Sequence, residues 1–523
     1  MKFITKYTLY ILLAAIFAAS CTKEAEVGML PVISGLESEY IAAVNQTLEL
    51  KPTVKDAPDA IYSWLLNGVE ESAAPTYTFK APTVEGKHTL VFRASTSSGM
   101  AQKVIAIEVG KFKPINASIN TLLTLQRPET FPETGEIAWT VTKATGDLYR
   151  MSYSETGAPS FIAATGGRYN IRATLGDLRQ DYMILARAET EKPQTPYISH
   201  VFDYMPAPGQ FVNDLPKFEE GDTREKMIAK VAANLAKADS YMISLGGWGG
   251  YVVFGFDHTI PNVEGKCDFR VLGNAFGAND NKRPNAPFGG SCEPGVIMVA
   301  YDKNKNGKPD EDEWYEINGS GNFSAEKEPW YEFVKAEGHD VKTIRNYEMT
   351  YYRPATEKTD ADYDGKDTLI KKYFRWTDNQ GVDSFYVKNK WHPQSYYPLW
   401  IKEDKLTFKG VRLAQNGINE GKFNPDINEQ SRYYVLYAYR YGYADNNLNL
   451  ENHSGIDIDW AITKDGKPAN LPGIDFVKVI TGVNQVNGWL GENSTEVAGA
   501  HDLHMMGVNI KTQTIENGYV IKK

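Results

Sequence analysis

Residues 302–313 read Asp-Lys-Asn-Lys-Asn-Gly-Lys-Pro-Asp-Glu-Asp-Glu, the spacing of a calcium-binding loop. Oxygen-bearing side chains fall at loop positions one (Asp302), three (Asn304), five (Asn306) and nine (Asp310). Gly307 holds position six and Glu313 position twelve. Calcium takes about six to eight oxygen ligands, the glycine permits the sharp turn, and the last glutamate can bind through both oxygens. Lys308 would lend its backbone carbonyl, so its charge leaves the site intact. The alternative is an acidic, Asn-rich surface hairpin. The flanking runs, residues 295–301 and 314–317, are rich in Val, Ile, Trp and Tyr. That composition predicts strands rather than the two amphipathic helices of a calcium sensor. The expected ion is structural, stapling a β-hairpin.

Other chemistry-bearing patterns are weaker. The string Gly246-Gly-Trp-Gly-Gly250 lacks the Gly-Lys-Ser/Thr ending of a phosphate loop and leads into a strand, so no helix N-terminus faces an anion. Asp257, Asn262 and Asp268 could bind a second cation, but a hydrogen-bonded turn explains them better. His501 and His504 lie three apart and are read as hydrogen-bonded rather than metal-bound. Neither a GxSxG elbow nor an HExxH helix is present. Acidic residues are too numerous to choose a catalytic pair without a separation. The chain therefore reads as a binder, with a glycan-cleaving enzyme as the alternative. An adhesin for a protein partner is a third reading.

Aromatic rings supply the candidate ligand surface. The region 318–407 is dense in Trp and Tyr, whose flat faces suit a sugar or a corrin-like macrocycle. Tyr373, Trp376 and Tyr386 sit in alternating runs and are expected in the core. The segment Trp391-His392-Pro393-Gln394-Ser395-Tyr396-Tyr397 is loop-like, and Trp391, His392, Tyr396 and Tyr397 are the expected ligand contacts.

The elements that must position these groups follow from the whole chain. With 523 residues it should hold about three or four domains. Its formal charge of −10 and pI near 5.5 argue against nucleic acid as a partner. Lys2 and Lys6, an apolar core from Tyr7 to Phe17 and the small residues Ala18-Ala19-Ser20 make an export signal too short to span a bilayer. With Cys21 next, the segment resembles a bacterial lipoprotein signal, which implies acylation of Cys21 and an outer-membrane anchor. Glu24 and Glu26 resemble the acidic export tag of Bacteroidetes surface lipoproteins. Export also makes Cys267 and Cys292 a possible disulfide pair.

After a tether at 21–28, residues 29–111 carry short strand-like runs, among them Ile61–Leu66 closed by Asn67-Gly68. The tryptophan strand, the Asn-Gly hairpin, the Gly86-led strand and the closing strand at 103–109 resemble a PKD-type, immunoglobulin-like module. Residues 112–203 repeat the theme as an expected second β-sandwich, and the two modules would form a stalk. A helix is predicted after 222, with Asp222 as N-cap and Met227, Val231, Leu235 and Ala238 on its apolar stripe. Across 204–523 the Gly-Gly strand, Gly255-Phe-Asp-His258, Gly273-Asn-Ala-Phe276 and Glu293-Pro294 resemble a jelly-roll domain of Bacteroidetes surface proteins. Segments 240–317 and 408–507 would form one sandwich, with 318–407 inserted.

The expected fold is thus mainly β: a PKD-like sandwich, a second sandwich and a jelly-roll-like sandwich with a short helix. The resemblance implies a surface lipoprotein with structural calcium that captures a glycan or cobamide beside a TonB-dependent transporter. Replacing Cys21 with Ala should move the protein from the membrane to the soluble fraction on cell fractionation; persistence in the membrane would rule out the lipid anchor.

Overall fold

The computed structural model describes residues 29–154, 157–189, 192–357, 369–424 and 432–516. The export segment, Cys21 and the tether lie outside them. The chain is mainly β, built of sandwiched sheets with few short helices. It forms two compact units. One takes residues 29–116, 128–143 and 168–185; the other takes 117–127, 144–167 and 186 onward. The segment 112–203, expected as a module of its own, is divided between them.

In the first unit a five-stranded sheet runs Glu39–Ala43, Gly99–Gly110, Gly86–Thr96, Ile61–Leu66, Val69–Ser72. The first pair is parallel and the rest are antiparallel. Asn67 and Gly68 both take positive φ, 50° and 87°, between the paired residues Leu66 and Val69. This is the two-residue turn that Asn-Gly favours, because its twist matches that of the strands it joins. Trp64 is fully buried, with Phe92 at 4.4 Å and Tyr77 at 5.4 Å between ring centres. Its indole N–H donates to the Ala74 carbonyl, so the large apolar ring leaves no polar atom unpaired. Leu50 and Phe79, from the small sheet Thr47–Leu50/Tyr77–Lys80, belong to the same core and close the sandwich.

The second unit is organised by one antiparallel sheet. Its order is His200–Met205, Tyr251–Pro261, Gly473–Thr481, Gly295–Ala300, Trp314–Ile317, Ala461–Ile462, with Tyr443–Ala444 branching off Gly295–Ala300. Gly473–Thr481 lies between two strands drawn from far earlier in the chain. Its near-continuous apolar sequence reflects burial on both faces. The calcium-like loop joins Gly295–Ala300 to Trp314–Ile317, which pair as a hairpin. The insertion builds a four-stranded sheet, Asp383–Asn389, Leu369–Asp378, Ile344–Tyr352, Lys405–Arg412. Tyr347, Tyr351, Tyr373 and Tyr386 from it join the central core, and Trp376 packs partly buried against it. A further sheet, Phe276–Gly277, Gly289–Ser291, Tyr434–Tyr437, Gly417–Asn419, serves a second core around Trp330 and Tyr439.

The predicted helix forms at Arg224–Leu235 and buries Met227, Val231 and Leu235. Its N-cap is Thr223, whose hydroxyl accepts from the Lys226 N–H, rather than Asp222. Asp222 is committed elsewhere, accepting from the Glu219 N–H and pairing with Lys230. Ala238 falls beyond the helix end.

The glycine string is a packing device. Gly246 has φ of +68°, and a Cβ there would meet the Ala207 carbonyl at 2.0 Å; at Gly250 one would meet the Leu245 carbonyl at 1.9 Å. Backbone approaches backbone here, and only glycine leaves room. No described helix is long and apolar enough to cross a membrane.

Candidate functional site

A cavity of about 800 Å³ opens in the second unit. Four connections bring its lining together. Gln210 and Phe211 follow the strand His200–Met205, and Glu293 follows Gly289–Ser291. Trp391 and His392 follow Asp383–Asn389. Asn487, Trp489, Glu492, Ser494 and Glu496 follow Gly473–Thr481. Apart from Glu496, which opens the short strand Glu496–Val497, these residues lie in connections, where chain geometry is free to serve a site.

Two indoles stand where the cavity meets solvent, Trp391 at 64% exposure and Trp489 at 41%. The buried Asn389 ties the two together: its Oδ1 accepts the Trp391 N–H at 2.9 Å, and its Nδ2 donates to the Trp489 carbonyl. The Trp489 indole N–H donates to the Arg432 carbonyl at 2.9 Å. The two rings are therefore presented on fixed backbones. His392 lies edge-on to Phe211 at 4.9 Å, and burial lowers its pKa against the pull of Asp214.

The floor is acidic. One carboxylate oxygen from each of Glu293, Asp445 and Glu496 lies within 4.8 Å of the others. Asp445 Oδ1 accepts the N–H groups of Asn274 and Ala275 at 2.7 and 2.8 Å, and its Oδ2 accepts that of Glu496 at 2.9 Å. Glu293 accepts from the Ser494 N–H and the Ser291 hydroxyl; Glu496 accepts from the Ser494 hydroxyl. All of these donors are neutral. Two unit charges 4.8 Å apart repel by about 3–4 kcal/mol at an effective dielectric near 20. Burial first, and then mutual repulsion, holds Glu293 and Glu496 above the usual carboxylate range; burial alone raises Asp445. Glu492, also raised by burial, accepts the backbone and side-chain N–H groups of Gln210. Such groups offer a ligand either shared protons for hydroxyl partners or negative charge for a cation.

The residues expected from sequence fall in different places. Trp391 and His392 line the cavity. Tyr396 and Tyr397 do not reach it: both are buried in the central core. The Tyr396 hydroxyl accepts the Asn389 N–H, and the Tyr397 hydroxyl donates to the Glu403 carbonyl. Ring density marked this segment, but rings also fill cores, and here two of the four do.

The 302–313 loop draws its oxygens inward. Asp302 accepts the N–H groups of Asn306 and Gly307, and the side-chain amides of Asn304 and Asn306 both donate to Asp310 Oδ2, at 2.7 and 2.8 Å. Asn306 Oδ1 accepts the Lys308 N–H. The buried Glu313 accepts the N–H of Lys303 and that of Asp310. Gly307 takes φ of +73° at the turn.

Cys267 and Cys292 are both buried free thiols, so the pairing is corrected. Cys267 precedes the strand Phe269–Leu272 and packs at Gly455, whereas Cys292 follows Gly289–Ser291. Burial pushes both thiols up, toward the inert protonated form.

A separate polar network replaces the second cation and the histidine pair. His504 bonds to Asp268 at 3.0 Å, Asp268 accepts the N–H groups of Val263 and Ile458, and Asn262 donates to Asp459. His501 lies apart, edge-on to Tyr197. His258 bridges Asp257 and Asp502 at 2.7 and 2.9 Å.

Sequence reasoning missed Asp445, Glu496, Gln210, Asn487 and Trp489. The usable signal was the polar run Glu492-Asn-Ser-Thr-Glu496 leading into the buried Val497, too polar for an ordinary core strand.

No protein-family model matches the chain, and no curated protein does. Solved structures match parts of it. A chimeric titin Z1Z2 functionalized with a KLER exogenous peptide from decorin is 15% identical over 30% of this chain and 97% of that one, with a TM-score of 0.15. The extracellular domains 3–5 of Drosophila OTK are 15% identical over 31% of this chain and 62% of theirs, with a TM-score of 0.15. Fibronectin(III)-like modules of Clostridium thermocellum CbhA are 23% identical over 15% of this chain and 95% of theirs, with a TM-score of 0.13. These similarities say nothing of function.

The histidine network sets a pH dependence. Burial alone would lower the pKa of His258 and of His504, but the Asp502 and Asp257 carboxylates outweigh it at the first, and Asp268 at the second, so both lie above their ordinary value. Burial and then Asp268 push Asp457 up to about 8. In all three cases the native state holds a proton more tightly than the unfolded chain. The histidine contribution is full below about pH 6.5 and is lost as pH rises through the raised native values. Asp457 adds loss of the same sign from about pH 4 up to its native value of about 8. At saturating calcium, the melting temperature should fall between pH 6 and pH 9, and fall less in His258→Gln. A flat or rising profile would contradict this assignment.

Proposed function

We propose that this chain is a surface lipoprotein, anchored at Cys21 in the outer membrane, whose head captures a glycan for an uptake system. The observation that carries the reading is the pair of exposed indoles, Trp391 and Trp489, clasped by Asn389 over a floor of carboxyl and amide groups. Sugar rings present apolar faces to stack on indoles and hydroxyls that need both donors and acceptors. A cavity of about 800 Å³ lies within the range of small-ligand sites. A cobamide, the other ligand suggested by the resemblance, is larger than a drug-sized ligand and would seat only in part. A TonB-dependent transporter is the proposed receiver of the ligand, and a jelly-roll-type head of the Bacteroidetes kind is the proposed finer fold.

Calcium at 302–313 belongs to this proposal. Asp302, Asn304, Asn306, Asp310 and Glu313 would supply side-chain oxygens and Lys308 a carbonyl; the N–H groups that Asp302 and Asp310 accept around the Gly307 turn hold the places a hard cation would take. The ion would staple the central hairpin and take no part in binding.

Two measurements test these assignments. Gel filtration of the full chain in detergent with a panel of soluble glycans, and with cyanocobalamin beside it, should show glycan carried in the protein peak. Trp391→Ala and Trp489→Ala should each weaken capture by about tenfold, roughly 1.4 kcal/mol for a lost ring contact, with unchanged melting. Capture of the corrinoid alone would reassign the ligand, and shortened glycan in the eluate would make the head an enzyme. For calcium, chelator should destabilise the chain by about 3–4 kcal/mol if the ion was present at 100- to 1,000-fold its Kd. Glu313→Ala should reproduce most of that loss; no shift in either melt would remove the ion.

A further inference from the structure

Three carboxyl groups meet at the cavity floor with neutral hydrogen-bond donors around them. Glu293, Asp445 and Glu496 converge to within 4.8 Å. Their protein partners include the N–H groups of Asn274, Ala275, Ser494 and Glu496 and the hydroxyls of Ser291, Ser494 and Ser244. These donors orient the carboxylates without neutralising them. A second observation points to a missing occupant. Asn487, 2% exposed, lines the same cavity with neither atom of its amide partnered; Gln210, 1% exposed, lines it with its amide oxygen unpartnered. Buried amides are normally satisfied. Here the unmet groups line the same cavity as Glu293 and Glu496.

We infer that Glu293, Asp445 and Glu496 bind a divalent cation of the calcium class in the floor of the cavity, separate from the 302–313 loop. The ligand set is oxygen alone, without sulfur or imidazole, which favours a hard cation over zinc or copper. Three carboxylates leave coordination positions of calcium unfilled, and Glu293 and Glu496 line the open cavity, so those positions face the space a ligand would occupy. Resting on the glycan reading, the ion would take two sugar hydroxyls as ligands beneath the ring stacked on Trp391 or Trp489. Capture would then require calcium.

The test separates this ion from the loop ion and from the glycan. Calcium binding is measured by equilibrium dialysis on the full chain carrying Glu313→Gln, which disables the loop. One equivalent should remain, and it should be lost when Glu496→Gln or Glu293→Gln is added. No bound calcium in a folded Glu313→Gln chain overturns the inference without any change in the cluster. Retention of the equivalent in folded Glu293→Gln and Glu496→Gln chains overturns it too. Glycan capture by the Glu313→Gln chain is then compared with and without chelator. Capture that survives chelation refutes the bridging role but leaves the glycan reading standing. A bound equivalent with no glycan captured refutes that reading but leaves the cation site standing.

Discussion

Asp445 is the constraint on which the second unit turns. Its two oxygens accept backbone N–H groups of Asn274, Ala275 and Glu496, and so fasten segments that are 171, 170 and 51 residues away along the chain. A buried carboxylate bonded to several N–H groups orders its surroundings strongly, because losing it strands every donor at once. Beside it, Glu293 accepts the Ser494 N–H, 201 residues away, and draws the last strand-forming segment to the same point. The floor of the cavity is therefore the knot of the fold. Binding chemistry and topology are carried by the same side chains.

The rest of the head follows from bringing those segments together. Gly473–Thr481 must run between Tyr251–Pro261 and Gly295–Ala300, which sets the central sheet. Gly246 and Gly250 must lie against Ala207 and Leu245 with no side chain between them, which sets the loop carrying Gln210. The inserted sheet closes one side by burying Tyr351 and Tyr386, and its Asp383–Asn389 strand delivers Asn389 and Trp391 to the rim. The rim is shared by Trp391 from the insertion and Trp489 from the segment after Gly473–Thr481, and the carboxyl groups below come from segments flanking the central strands.

What the sequence made legible was local. Asn67-Gly68 specified its turn because few residue pairs accept two positive φ values, and the helical stripe Met227, Val231, Leu235 matched its period. The strand-flanked loop at 302–313 was readable because all its side chains lie within twelve consecutive residues. The cavity was not readable, since its groups come from near 210, 293, 391 and 490, and only long-range pairing makes them neighbours. Tyr396 and Tyr397 show the same limit from the other side. A ring two turns of chain from the rim is indistinguishable by composition from one on it, and burial decides. The cysteines were misjudged because compartment chemistry permits a disulfide but only geometry makes one.

The ligand is placed in the space between the two indoles and the carboxylate floor. A crystal structure of the full chain grown with the glycan retained best in solution tests it most directly. A sugar ring should stack on Trp391 or Trp489, with hydroxyls directed to the floor formed by Glu293 and Glu496. A glycan bound elsewhere on the surface, with only water in the cavity, would contradict it.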